Sequence, residues 1–276
     1  MEGKVVVVTG GAAGIGLEMV LALARQGWRV VAADVARDAL TVLAGKLNDL
    51  GLAQRVRLEE VDLSQAAAAP ALIKAVEEWG PIHGLVNNAG LGRSIVRRDF
   101  FTRPPKFWDM EMQTWLRYLA LHATAPFALM KAVVPAMLQR GVGRIVNVTT
   151  SLDSMLNAGA VGYGPSKAAA EALSAVAAND LRGTGITVNV LIPGGVVDTG
   201  MIPAEAPLAR DSMLRPECMC APLLWLLSDA AADTTAVRIR AHLWDAEAGA
   251  EASLRMAGAP IAWTSLTGQL RAAKFV

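Results

Sequence analysis

Val5 to Val8 form four β-branched residues in a row with no polar position between them. Strands with one solvated face alternate, so an unbroken run of this kind reads as a strand covered on both faces, as in a parallel sheet. It runs into Thr9-Gly10-Gly11-Ala12-Ala13-Gly14-Ile15-Gly16, followed at once by an apolar helical stretch (Leu17, Met19, Val20, Leu21, Leu23, Ala24) that stops at Gly27. The alternation then repeats. Trp28 to Asp34 is a second buried strand, Asp38 to Leu50 an amphipathic helix stopped by Gly51, and Val56 to Val61 a third strand running into Asp62-Leu63. Gln65 to Trp79 is helical in pattern, and Ile82 to Val86 is a fourth strand closed by Asn87-Asn88-Ala89-Gly90. From Leu91 to Trp108 the pattern breaks. Asp109 to Arg140 predicts one long helix bent by Pro126 and Pro135, and Gly143 to Val148 a fifth strand that leads into Thr149-Thr150-Ser151. Tyr163 to about Leu181 is a long Ala-rich helix, Ile186 to Leu191 a sixth strand and Ile239 to Trp244 a seventh.

Strands and helices alternating at this spacing predict an α/β fold: a doubly wound parallel sheet of about seven strands with helices on both faces. Residues 1–276 suit a single such domain. Ligands of such sheets sit beyond the strand C-termini. The glycine turn, Asp34, Asp62 and Asn88 all fall there, so one ligand can touch all four.

Composition narrows the function classes. The chain is 53% hydrophobic and 18% charged with mean hydropathy +0.37, a charge-poor make-up that suggests extensive subunit contacts. Net charge +1 leaves no electrostatic footprint for nucleic acid, and no nucleic-acid partner is expected. No apolar run approaches the ~20 residues of a membrane span. Met1-Glu2-Gly3-Lys4 enters a strand directly, without the apolar region of a signal peptide. Cys218 and Cys220 lie at a spacing unusual for metal ligands and have no His/Cys cluster beside them, so they read as reduced thiols. A cytoplasmic protein with no bound metal and no membrane partner is the expectation.

A strand, a glycine turn and a helix in that order bring bare backbone N–H groups and the positive end of a helix dipole to one point, which suits a phosphate. A turn that merely reverses the chain is the plainer alternative. Asp34 falls 18 residues after Gly16, near the spacing of the acid that hydrogen-bonds an adenosine ribose. A carboxylate there accepts from ribose hydroxyls and repels a 2′-phosphate, which favours NAD over NADP. Nearby Arg37 pulls the other way, and a helix-capping Asp is the alternative. In Tyr163-Gly164-Pro165-Ser166-Lys167, Pro165 forces the helix to start near Gly164, which puts Tyr163 at its beginning on the same face as Lys167. A phenol with pKa near ~10 is a poor base. An ammonium beside it predicts a depression of roughly 1–3 units. The loop 91–108 carries Arg93, Arg97, Arg98, Arg103 and Lys106; it reads as solvated, or as the receptor of an anionic substrate group.

Thr9-Gly-x-x-x-Gly-Ile-Gly16, Asn87-Asn-Ala-Gly90, Tyr163-x-x-x-Lys167 and Pro193-Gly194 together resemble the short-chain dehydrogenase/reductase family over about residues 4–200. The resemblance implies a Rossmann fold and assigns roles residue by residue. Tyr163 is then the catalytic acid/base, with Lys167 lowering its pKa and holding the nicotinamide ribose. Gly10, Gly14, Ile15 and Gly16 wrap the cofactor phosphates, Asp34 the adenosine ribose, and Asp62 with Leu63 the adenine. Asn88, Ala89 and Gly90 lie along the cofactor, Pro193, Gly194 and Val196 flank the nicotinamide, and Thr199 sits near its carboxamide or the phosphates.

Three departures accompany the match. The substrate-orienting Ser usually stands 13 residues before the Tyr, where this chain has Thr150. Register favours Thr150 and residue type favours Ser151. His122 stands where the family commonly has an Asn that links the Lys to solvent; it either relays protons or is a satisfied buried histidine. The third departure is the tail, which leaves the family pattern and makes 245–276 an extension. By the resemblance, residues 195–215, carrying Met201, Ile202, Pro207, Leu208 and Met213, correspond to a mobile apolar substrate lid, and imply a mainly hydrophobic substrate body; contacts to a neighbouring subunit are the alternative. The resemblance thus implies an NAD-dependent oxidoreductase acting on a secondary alcohol or ketone, assembled as a homodimer or homotetramer. A catalytically silent dinucleotide sensor or scaffold of the same fold is the alternative.

Overall fold

The structure is a computed structural model that describes residues 3–65 and 67–263. Each valine from 5 to 8 is fully enclosed, and alternate ones serve different cores. Val6 and Val8 pack with Met19, Val20, Leu23, Leu223 and Leu226, whereas Val5 and Val7 pack with Leu72, Ile73, Val76, Leu129 and Val133. That division is why the run has no polar position: side chains alternate across the sheet and helices cover both faces.

In chain order the sheet and its helices are β1 (Val5–Thr9), α1 (Gly14–Arg25), β2 (Arg29–Asp34), α2 (Arg37–Asp49), β3 (Val56–Glu60), α3 (Ala68–Glu77) and β4 (Ile82–Asn87). After the arginine-rich loop come α4 (Met112–Leu119), α5 (Ala125–Arg140), β5 (Gly143–Val148), α6 (Leu152–Leu156), α7 (Tyr163–Asp180) and β6 (Ile186–Ile192). The chain continues with α8 (Cys220–Leu227), β7 (Val237–Arg240), α9 (Ala250–Ala257) and β8 (Gly258–Pro260). The sheet order is β3-β2-β1-β4-β5-β6-β7-β8, parallel throughout except for antiparallel β8. Strand order reverses between β1 and β4. The crevice beyond their C-terminal ends is the ligand position of such sheets.

The doubly wound sheet matches expectation but has eight strands among the described residues, not about seven. Two tail expectations change. Ile239 to Trp244 is not one strand: β7 ends at Arg240, and a tight turn over Ala241–Leu243 lets the His242 N–H bond the Pro193 carbonyl at 3.1 Å. The segment beyond adds α9 and β8, with Ile261 buried beside Val190 and Ile192. The rest of the extension, 264–276, lies outside the described residues.

The long helix of 112–140 also differs. Its irregularity is a π-turn over Ala120–Thr124, not a proline bend. Pro126 falls in the first turn of α5, where its missing N–H costs nothing, and Pro135 is carried within the helix. The run Met112–Arg140 is long and apolar enough to cross a membrane by length and composition, contrary to the expectation that no run approaches that length. Here its Leu129, Val133 and Met137 are spent on the sheet.

Candidate active site

All of the candidate residues line one cavity of about 750 Å³ at the switch point: Gly10, Gly14, Ile15, Gly16, Asp34, Asp62, Leu63, Asn88, Ala89, Gly90, His122, Thr150, Ser151, Tyr163, Lys167, Pro193, Gly194, Val196 and Thr199. At its floor the turn after β1 is held against β4. The Thr9 hydroxyl accepts from the N–H groups of Asn88 and Ala89, each at 3.0 Å. Asn88 Nδ2 donates to the carbonyls of Thr9 (3.0 Å) and Gly10 (3.2 Å), so this side chain braces the turn. Gly10 has φ +63°, and a Cβ there would stand 2.9 Å from Ala89 Cα; a Cβ at Gly16 would collide with the Gly10 carbonyl. The backbone is bare because neither position can hold a side chain.

The N-cap of α1 is Ala13, which has no oxygen to cap the first turn. Its N–H donors are therefore left for an anion. Asp34, at the end of β2, accepts from Ala12 N–H (3.1 Å) and Ala36 N–H (3.0 Å), which orients the carboxylate and leaves lone pairs free. Arg37 turns away to Glu60 at 2.7 Å. Across the crevice, Ser64 N–H (2.9 Å) and Gln65 Nε2 (3.2 Å) hold Asp62, and the Ser64 hydrogen bonding keeps its carboxyl below the usual range. An uncapped helix start, a glycine cradle and a fixed carboxylate fit the phosphates and ribose of a dinucleotide.

At the other end Tyr163 is the first residue of α7, and Lys167 lies one turn on, buried, its Nζ donating to the Val148 carbonyl at 2.9 Å. Burial pulls the ammonium down to about 8. The Tyr163 phenol is pushed above its ordinary value: desolvation outweighs the opposing pull of the Thr150 hydroxyl and the Arg93 charge. The predicted depression by Lys167 is thus not found. The ammonium is engaged with Val148, and burial dominates. The Thr150 hydroxyl lies close enough to the Tyr163 phenol to draw its pKa down, while Ser151 is the N-cap of α6, its Oγ accepting from Ser154 N–H at 3.1 Å.

His122 sits in the π-turn, 2% exposed. Its Nε2 accepts from Leu91 N–H at 2.8 Å, so the proton is on Nδ1, which meets Ser166 Oγ at 2.8 Å. That hydroxyl in turn donates to the Tyr163 carbonyl at 2.9 Å. Burial, then the Lys167 charge, hold the imidazole well below its usual pKa. The imidazole is thus buried with both nitrogens engaged, and it ties the loop after β4 to the start of α7.

Two walls rise over this end. The loop 91–108 contributes Leu91, Arg93, Phe100 and Phe101, and the segment 195–215 contributes Val196, Met201 and Ile202. The second wall is folded on itself by a bridge between Val197 and Leu214 and by Asp198 with Arg210 (2.7 Å) and Arg215 (3.1 Å). Arg98 and Glu205 join the walls at 2.6 Å.

Sequence reasoning missed a buried ion pair behind the site. Glu171 on α7 and Arg238 on β7, 0% and 6% exposed, meet at 3.1 Å. Glu171 also accepts from the Thr149 hydroxyl (2.7 Å) and from Ala262 N–H (3.1 Å), while Arg238 Nη2 donates to the Thr150 carbonyl. The two residues are 67 positions apart, and no local pattern pairs them.

A glycine-cradled dinucleotide crevice that ends on a Tyr-Thr-Lys cluster defines a nicotinamide-dependent oxidoreductase. The family model for short chain dehydrogenase matches residues 4–207, and the chain belongs to that family. It is 30% identical over 239 residues to the 3-oxoacyl-(acyl-carrier-protein) reductase FabG of Thermotoga maritima, covering 83% of this chain and 92% of that one. Among solved structures it resembles one described as an NAD(P)-dependent gluconate 5-dehydrogenase from Beutenbergia cavernae with NADP. That match has TM-score 0.74 and 27% identity over 85% of this chain and 93% of the other. It also resembles a variant actinorhodin polyketide ketoreductase with NADPH, with TM-score 0.72, 26% identity and 85% and 95% coverage. By family the chain is an oxidoreductase with a nucleotide-binding Rossmann fold.

Proposed function

We propose that this chain interconverts a ketone and a secondary alcohol, using NAD. The observation that carries the reading is the Tyr163 phenol beside the Thr150 hydroxyl and Lys167, at the open end of the glycine-cradled crevice. Held along Asn88–Gly90 and Pro193–Gly194, a nicotinamide would supply or accept the hydride. Tyr163, protonated at neutral pH, gives its proton to the ketone oxygen, or takes it back from the alcohol when ionised. Thr150 donates to the same oxygen and fixes its position. Lys167 is mostly charged at neutral pH and would hold the nicotinamide ribose. Leu91, Phe100, Phe101, Met201 and Ile202 suit an apolar substrate body, with residues 195–215 as its lid. A panel of ketones and alcohols followed by cofactor absorbance tests this reading. Cofactor binding without turnover of any of them would overturn it.

NAD is favoured by the fixed Asp34 carboxylate and by Arg37 being engaged with Glu60. Wild type is expected to bind NAD at least about tenfold tighter than NADP, a difference of ~1.4 kcal/mol. Asp34→Ser should reduce or invert that ratio in a fluorescence titration. Equal affinities in wild type would remove Asp34 as the determinant.

A homodimer or homotetramer is part of the same reading. Met112, Leu116, Phe127 and Val176 are 48–68% exposed on the helices of 112–140 and 163–180. Association would cover them. Sedimentation should give at least twice the 29.0 kDa of one chain; a sole 29.0 kDa species would refute it. The free thiols of Cys218 and Cys220, both raised in pKa by burial, suit the reducing cytoplasm.

A further inference from the structure

The substrate end of the cavity holds a cation that the chemistry above does not use. Of the arginines in the loop after β4, Arg97 and Arg103 pair with Asp99 at 2.6 and 3.5 Å, and Arg98 pairs with Glu205. Arg93 has no carboxylate partner among the described residues. Its guanidinium is half-buried, with Cζ 4.7 Å from the Phe100 ring centroid, and Nη2 donates to the Ala158 carbonyl at 3.2 Å. Its Nε is buried with no hydrogen-bond partner among the described residues. A guanidinium carries five donors, so most of its capacity is unspent.

Holding such a group out of water without an anion is costly. Desolvation lowers its pKa, and it lines the same cavity as Thr150, Tyr163 and Lys167. The acids of the cavity, Asp34 and Asp62, belong to the opposite end. The backbone carrying Arg93 is fixed on both sides: the Gly92 carbonyl accepts from the Tyr118 hydroxyl at 2.9 Å, and Leu91 N–H donates to His122 at 2.8 Å.

We propose that Arg93 binds a carboxylate of the substrate itself, so that the substrate is an oxo acid, or the corresponding hydroxy acid, with an otherwise apolar body. This rests on the ketone–alcohol reading given above. A carboxylate fits better than a phosphate. One planar fork answers one negative charge bidentately; the other arginines of this loop are committed to Asp99 and Glu205, and Arg117, which also lines the cavity, has its charge felt by Asp62 at the cofactor end.

The test compares 2-oxopentanoate and levulinate with their neutral primary amides, by isothermal titration with NADH present and by kcat/KM. At least one acid should exceed its amide by roughly 10- to 100-fold in wild type. In Arg93→Met the ratio should fall to near one without a lower Tm, because methionine occupies the space and removes an unpaired buried charge. Arg93→Lys, which keeps the charge without the fork, should recover part of the preference, and it stands in should the methionine variant fail to fold. The proposal is overturned if no acid is preferred in wild type, or if the preference survives both substitutions. Equal turnover of acids and amides leaves the ketone reading standing and removes this one. Acid-selective binding with no turnover of any ketone does the reverse.

Discussion

Tyr163→Phe is expected to lower kcat for ketone reduction about a thousandfold, within the 10²–10⁴ range of a positioned proton donor, while NAD affinity stays near that of wild type. The phenol lies against Thr150 where a carbonyl oxygen would sit, and phenylalanine keeps the ring but removes the proton. The pH dependence follows from the shifts. A phenol held above its ordinary pKa of 10.0 stays protonated across the neutral range, so the acid form that reduction requires is present there and is lost only as pH rises past that value. Lys167 titrates first, at about 8, so the alkaline fall in the reduction rate should begin there, and oxidation should gain with pH until the ammonium discharges. A phenylalanine variant that kept more than about a tenth of the wild-type rate would remove Tyr163 from the proton transfer.

Arg238→Ala should cost about 3–5 kcal/mol of folding stability, because it strands the Glu171 carboxylate in a site with no exposure. Glu171→Leu combined with Arg238→Met should cost far less, since replacing both members of a buried pair by apolar groups of similar volume is often neutral. Urea unfolding of the two variants measures the difference. Turnover should fall in the single variant as well, because Arg238 also holds the Thr150 carbonyl. A single-variant cost below about 1 kcal/mol would show that water relieves the orphaned carboxylate.

Much of this arrangement was legible in the residues themselves. The run Val5–Val8 carries no polar position, and that alone requires cover on both faces; the glycine turn and Asp34 then fall at strand ends by counting. The failures have physical causes. Gly258-Ala259-Pro260 has no strand propensity and becomes β8 only because the edge of β7 offers it partners. Pro126 reads as a breaker but lies where a helix needs no donor, while the π-turn beside it has no compositional mark. The acidity of Tyr163 was misjudged because spacing shows the neighbouring ammonium but not the desolvation that outweighs it. Arg93 could not be told from the four other cations of its loop until their partners were seen.

On the proposed reading of residues 195–215 as a lid, the exposed pair between Arg98 and Glu205 helps hold it against the loop 91–108, beside Ser94 Oγ donating to the Met201 carbonyl at 3.5 Å. An ion pair at the surface contributes at most about 1 kcal/mol, so it biases a shut over a parted arrangement by no more than roughly fivefold. A latch that weak lets reactant in and product out at ordinary ionic strength, and added salt loosens it further.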